Sequence, residues 1–128
     1  MRTKEIAQMA LALKMEEAAM TVMGIYFLSH FSLGLPIWIW FLLFFSPDIS
    51  MLGYLINNRF GAYVYNLFHH RAIALIIVAL GLFLTSNICT AIGILLFSHS
   101  SFDRMMGYGL KFTDNFKNTS LGLIGKLK

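Results

Sequence analysis

The chain has 128 residues, of which 58% are apolar and 12% charged, and its net charge is +4. A soluble domain carries roughly 25% charged residues, and a small globule has too much surface for so few charges to cover, so lipid is the expected solvent. The lone Cys89 excludes an internal disulfide and a thiolate-built zinc site, and no basic stripe with interleaved aromatics points to nucleic acid.

Four apolar stretches are expected to cross a membrane as helices, each near the ~20 residues that span the hydrocarbon core. Barrel strands are excluded by the lack of period-two alternation. The first covers residues 15–31; the preceding MRTKEIAQMALALKMEE is broken by Lys14, Glu16 and Glu17 and is not a secretory signal. The second starts near Pro36 as IWIWFLLFF and continues to about residue 56, with Pro47 expected to kink it or divide it. The third covers residues 60–84 and the fourth residues 87–109. The expected fold is therefore all-α: a four-transmembrane-helix bundle over residues 1–111, followed by a polar tail over residues 112–128.

Charge placement sets the orientation. Arg2, Lys4 and Lys14 precede the first span, Arg59 lies between the second and third, and Lys111, Lys117, Lys126 and Lys128 follow the fourth. The loops SHFSLGLP and LTSN carry no Lys or Arg. The positive-inside rule then places both termini and the Arg59 loop in the cytoplasm, with Trp38 and Trp40 near the outer interface.

The ionisable residues within the spans share a depth. At ~1.5 Å per residue, Glu16, Glu17 and Asp48 lie about 20 Å below the outer boundary. His69 and Asp103 lie about 24 Å and His99 about 18 Å below it on the same count. Such groups are costly in lipid and turn inward to pair. His99 and Asp103 are four residues apart on one helix face, and carboxylates with imidazoles but no thiolate suit zinc, manganese or iron. A purely structural polar network is the plain alternative for this layer. His70 points about 100° away from His69 and reads as a hydrogen-bond bridge between helices; His30 reads as a solvated loop residue. Glu16 and Glu17 read equally as headgroup-level charges.

The blocks PDISMLGY, GAYVYNLFHH and SHSSFDRMMGYGLKF resemble those of a family of small bacterial multi-pass membrane proteins known only as a domain of unknown function, over residues 13–125. A more distant resemblance is to membrane-bound metal-dependent hydrolases, which carry a PD-x-D block, a His-Arg-x-x-Thr-His block and a late His-x-x-x-Asp. Here Pro47-Asp48-Ile49-Ser50, His69-His70-Arg71 and His99-Ser100-Ser101-Phe102-Asp103 stand in that order. Ser50 replaces the second Asp, and the Thr-His pair is missing.

The distant resemblance implies one divalent metal, zinc or manganese, on Asp48, His69, His99 and Asp103. Depth makes Glu16 or Glu17 the nearest general base. Tyr54, Tyr65 and Asn66 would hydrogen-bond ligands or substrate, and Arg71, Arg104 and Lys111 would suit an anionic lipid head group in a bacterial inner membrane. Three other readings stand beside the hydrolase. One is an ion or small-solute transporter, as a homodimer packed through Gly24, Gly53, Gly61, Gly81 and Gly93. Another is a haem protein ligated by His69 and His99, and the third an accessory membrane protein with a structural polar network.

Overall fold

The computed structural model describes residues 1–124. In chain order the elements are α1 Arg2–Ser29, α2 Ile37–Phe44, a 3-10 helix Ser46–Leu55, α3 Asn58–His69, α4 Arg71–Phe83, α5 Asn87–Met105, β1 Asn118–Thr119 and β2 Gly122–Leu123. The all-α expectation holds apart from this two-residue hairpin, in which Thr119 pairs with Gly122.

Local chemistry explains most of the boundaries. The Asn57 side chain accepts the Phe60 N–H at 2.7 Å and opens α3, and Ser86 accepts the Cys89 N–H at 3.3 Å and opens α5. Pro47 has no N–H, so the Leu43 carbonyl one turn back loses its helical donor. The Ser46 hydroxyl supplies a substitute at 2.6 Å, and the Asp48 N–H bonds Phe45 instead of Phe44. The chain tightens into a 3-10 helix there and leaves the Phe44 carbonyl available. Pro47 thus divides the second stretch as expected.

The third stretch does not form the single rod expected. It breaks at His70, which takes extended angles (φ −90°, ψ 113°), and α3 and α4 meet there at a bend of 47°. By length and composition, residues 37–55 form one run long and apolar enough to cross a membrane, and the bent α3–α4 pair is a second candidate as a broken span. Among the described residues no other helix meets that test, so the four separate spans are not established by this measure.

α5 is the central rod. Residues from Thr90 to Asp103 on it are largely buried, α1 and α4 pack along it, and α3 lies on the 3-10 helix. Close approach depends on glycine: a Cβ at Gly24 would collide with Ser98, one at Gly81 with Thr90, and one at Gly93 with Val78. Gly53 and Gly61 face each other across the α3 contact. The glycines expected to serve association between copies are therefore occupied within one chain.

The burial pattern is inverted relative to a water-soluble domain. Buried side chains include Thr21, Thr90, Ser98, His99, Ser101 and Asp103, while Trp38, Phe41, Leu42, Ile76, Phe83 and Ile88 are each more than half exposed. A small apolar core of Leu28, Ala91, Ile94 and Leu95, backed by Phe31, Trp40 and Phe44, sits toward the opposite end of α5 from Asp103.

Residues 112–124 are not a detached tail. Asn66 donates to the Lys111 carbonyl at 2.8 Å and accepts the Lys111 N–H at 2.7 Å, and Asn58 donates to the Asp114 carbonyl at 3.2 Å. The Ser120 N–H bonds Leu110 at 2.7 Å, and Thr119 is buried. Lys126 and Lys128, counted among the inner charges, lie outside the described residues.

Candidate metal centre

Three separate segments deliver four side chains to one point. The first turn of the 3-10 helix presents Asp48, the end of α3 presents His69, and α5 presents His99 and Asp103 one turn apart. One ligand atom from each lies within 4.8 Å of the other three. His99 Nε2 is 3.1 Å from Asp48 Oδ1, 3.1 Å from His69 Nε2 and 3.4 Å from Asp103 Oδ2. His69 Nε2 is 3.1 Å from Asp103 Oδ2 and 3.4 Å from Asp48 Oδ1.

The other nitrogen of each ring fixes what these contacts can be. His99 Nδ1 lies 2.7 Å from the Phe44 carbonyl freed by the Pro47 break, and His69 Nδ1 lies 2.8 Å from the Tyr65 carbonyl. A carbonyl can only accept, so both Nδ1 atoms carry hydrogen. In the neutral rings both Nε2 atoms then present lone pairs, to each other and to two carboxylate oxygens. Four acceptors face one another, and the arrangement is favourable only with positive charge among them. Tetrahedral ligands at ~2.0–2.1 Å from a zinc ion would be separated by ~3.3–3.4 Å. The five distances above, from 3.1 to 3.4 Å, fit that spacing.

The surroundings hold the ligands in place. The Tyr65 hydroxyl donates to Asp103 Oδ2 at 3.3 Å, and its ring stacks on His69 with centroids 3.8 Å apart. Both imidazoles are buried, whereas the Asp48 side chain is 36% exposed, so access is from the carboxylate side. There a cavity of about 280 Å³ is lined by Asp48, Asp103, Tyr65, Tyr108 and Lys111, with Phe116 from the tail closing part of it. The Lys111 ammonium lies 4.6 Å from the Tyr65 ring centroid and donates to the Phe116 carbonyl at 3.0 Å.

The residues expected beside this cluster divide. Tyr65 and Lys111 are there. Asn66 is not a ligand partner; both ends of its amide bond the Lys111 backbone and anchor the tail. Tyr54 packs edge-on against Phe116, and its hydroxyl is buried without a hydrogen-bond partner among the described residues. Glu17 forms an ion pair with Arg71 at 2.8 Å, Glu16 is exposed, and neither belongs to the four-ligand group, which removes the positional case for either as general base. Arg71 and Arg104 line no part of the cavity beside the cluster. His70 is exposed at the bend, and among the described residues its side chain makes no interhelical bond; the break turns it outward, against the expectation. The haem reading also fails, since Nε2 atoms 3.1 Å apart leave no room for a porphyrin plane.

Sequence inspection did not find the carbonyls of Phe44 and Tyr65, because main-chain acceptors leave no trace in residue type. It also missed Phe116, for which only the apolar character of a residue in a polar tail was a cue.

No curated protein and no solved structure matches this chain. A family match does cover residues 10–124, and the chain therefore belongs to the family described as Domain of unknown function (DUF4260).

Proposed function

We propose that this protein is membrane-embedded and that Asp48, His69, His99 and Asp103 hold one divalent cation, zinc or manganese, for hydrolase-like chemistry on a phosphate-containing, lipid-related substrate. The observation that carries the proposal is the convergence of four acceptors whose imidazole Nδ1 atoms are already committed to carbonyls. A cation bound there would activate water and polarise a phosphoryl or acyl oxygen. The chain supplies the rest: Tyr65 orients Asp103, the buried rings exclude bulk water on one side, and Lys111 gives the cavity a positive wall for an anionic group. The proposal keeps four spans in a bacterial inner membrane with both termini inside. Its support is the charge asymmetry of the loops and the apolar outer surface. Within one chain the transporter alternative has less support, since past the cluster α5 meets the apolar core of Leu28, Ala91, Ile94 and Leu95.

Elemental analysis of detergent-purified protein tests the metal, and a panel of phosphate mono- and diesters tests the chemistry. One zinc or manganese per chain, lost in His99→Ala, is the expected result. Absence of metal from wild-type protein purified without chelator and then supplied with either ion overturns the proposal. If metal is bound but no ester in the panel turns over faster than in His99→Ala, the hydrolase part fails alone.

A further inference from the structure

We infer that the face of α1 between Ala10 and Phe31 is a binding site for one anionic phospholipid, separate from the metal centre. Two adjoining concavities lie along that face. The first, of about 420 Å³, is lined by Leu13, Lys14, Glu17, Arg104, Gly107 and Ser120. The second, of about 580 Å³, is almost wholly apolar and runs between α1, α4 and α5 past Met20, Met23, Phe27 and Phe31, with Leu75 and Phe97 opposite. Positions 10, 13, 14, 17, 20, 23, 24, 27 and 31 follow the three- and four-residue steps of one helix face, so the two concavities share one strip.

The junction between them is a neutralised pair. Arg71 Nη1 donates to Glu17 at 2.8 Å and lies 3.4 Å from Met20 Sδ, so the polar cavity ends where the apolar groove begins. With Glu17 and Arg71 satisfied by each other, Lys14 and Arg104 are left in excess. Among the described residues no carboxylate pairs with either, and Arg104 is half-buried. A half-buried guanidinium beside an ammonium is the chemistry that holds a phosphodiester.

Length selects the remainder of the ligand. Residues 20–31 cover about 16 Å at ~1.5 Å per residue, about half of a ~30 Å hydrocarbon core, and lie outward of the polar cavity, so an acyl chain there would run outward from a head group seated toward the cytoplasmic side. An anion at one end of a strip and a one-leaflet apolar channel at the other describe a phospholipid; a free phosphate would leave the channel unexplained.

The site is distinct from the cavity beside the four ligands. No residue lines both, and the chain from Asp103 to Lys111 partitions them. Asp103, Tyr108 and Lys111 face the metal side, and Arg104, Gly107 and Leu110 face the α1 side. The inference goes beyond the proposed chemistry and stands if no reaction is found.

The test is native mass spectrometry of delipidated full-length protein in mild detergent, with phosphatidylglycerol or phosphatidylcholine of identical chains and with inorganic phosphate as competitor. Expected is one phosphatidylglycerol per chain, held about tenfold more tightly than phosphatidylcholine. The double variant Lys14→Gln, Arg104→Gln should lose that preference. Ala19→Phe, which fills the groove, should weaken both lipids while leaving the preference. Metal content, measured on the same samples, should not change in either variant. Equal retention of the two lipids by wild-type protein overturns the inference. So does a preference that survives the double variant, or competition by inorganic phosphate as effective as that by the lipid.

Discussion

Two polar assemblies lie on opposite sides of α5, and they differ in what they lack. Around His99 four lone-pair-bearing atoms converge, with the nearby Lys111 ammonium engaged by the Phe116 carbonyl; around Arg71 the charges are paired, and among the described residues Arg104 and Lys14 are left over. The first arrangement could hold a cation, and the second, on the inference above, an anion. The comparison teaches that clustering of titratable groups is not itself informative; the balance of donors and acceptors after internal pairing is.

The largest expected effect breaks the acceptor side. His99→Ala should lower metal affinity by at least ~100-fold, since even residues behind the ligands alter it by 10–100-fold. A chelator should lower the melting temperature of wild-type protein and not of the variant, because ion binding to the folded state alone stabilises it. Glu17→Gln then breaks the paired side: it leaves Arg71 without its partner in a poorly hydrated position and should cost about 3 kcal/mol. Thermal unfolding would report that loss while metal content stays at the wild-type value. Asn66→Ala removes both side-chain hydrogen bonds to the Lys111 backbone and should destabilise by about 2 kcal/mol, with earlier protease cleavage within residues 112–124. The smallest effect sharpens the acceptor side. Tyr65→Phe deletes the bond to Asp103 and should weaken metal binding about tenfold with the same ion preference. For all variants that still bind, affinity should fall as pH falls, because carboxylates and imidazoles ligate only when deprotonated.

Much of this arrangement is legible in the sequence. Asp48, His69, His99 and Asp103 share a depth count, and the structure brings them together because each is too costly to leave facing an apolar surround. Pro47 announces its own break, since a missing N–H acts wherever it stands. The bend at His70 carries no such signal: no Gly or Pro is there, and the backbone turns because α3 must lie on the 3-10 helix while α4 lies on α5. That bend separates His69 from Arg71 and sends them to different assemblies, so adjacency in sequence misplaced Arg71 beside the cluster. Glu17 was misplaced for a related reason, as equal depth does not give direction around the bundle. The docking of residues 112–124 rests on backbone bonds to Asn58 and Asn66, which composition does not reveal.

The two rings of the cluster take their tautomer from main-chain carbonyls, whatever side chains pack against them. Any amino acid at position 44 still offers a carbonyl to His99, so a randomised library there should return competent clones among the apolar, helix-compatible side chains that can replace Phe44 against the core and the ring. Insertions or deletions between positions 44 and 48 have no such tolerance, because they shift the register of the freed carbonyl and rotate His99 out of line. The expected genetic signature is permissiveness to replacement combined with intolerance to changes in length.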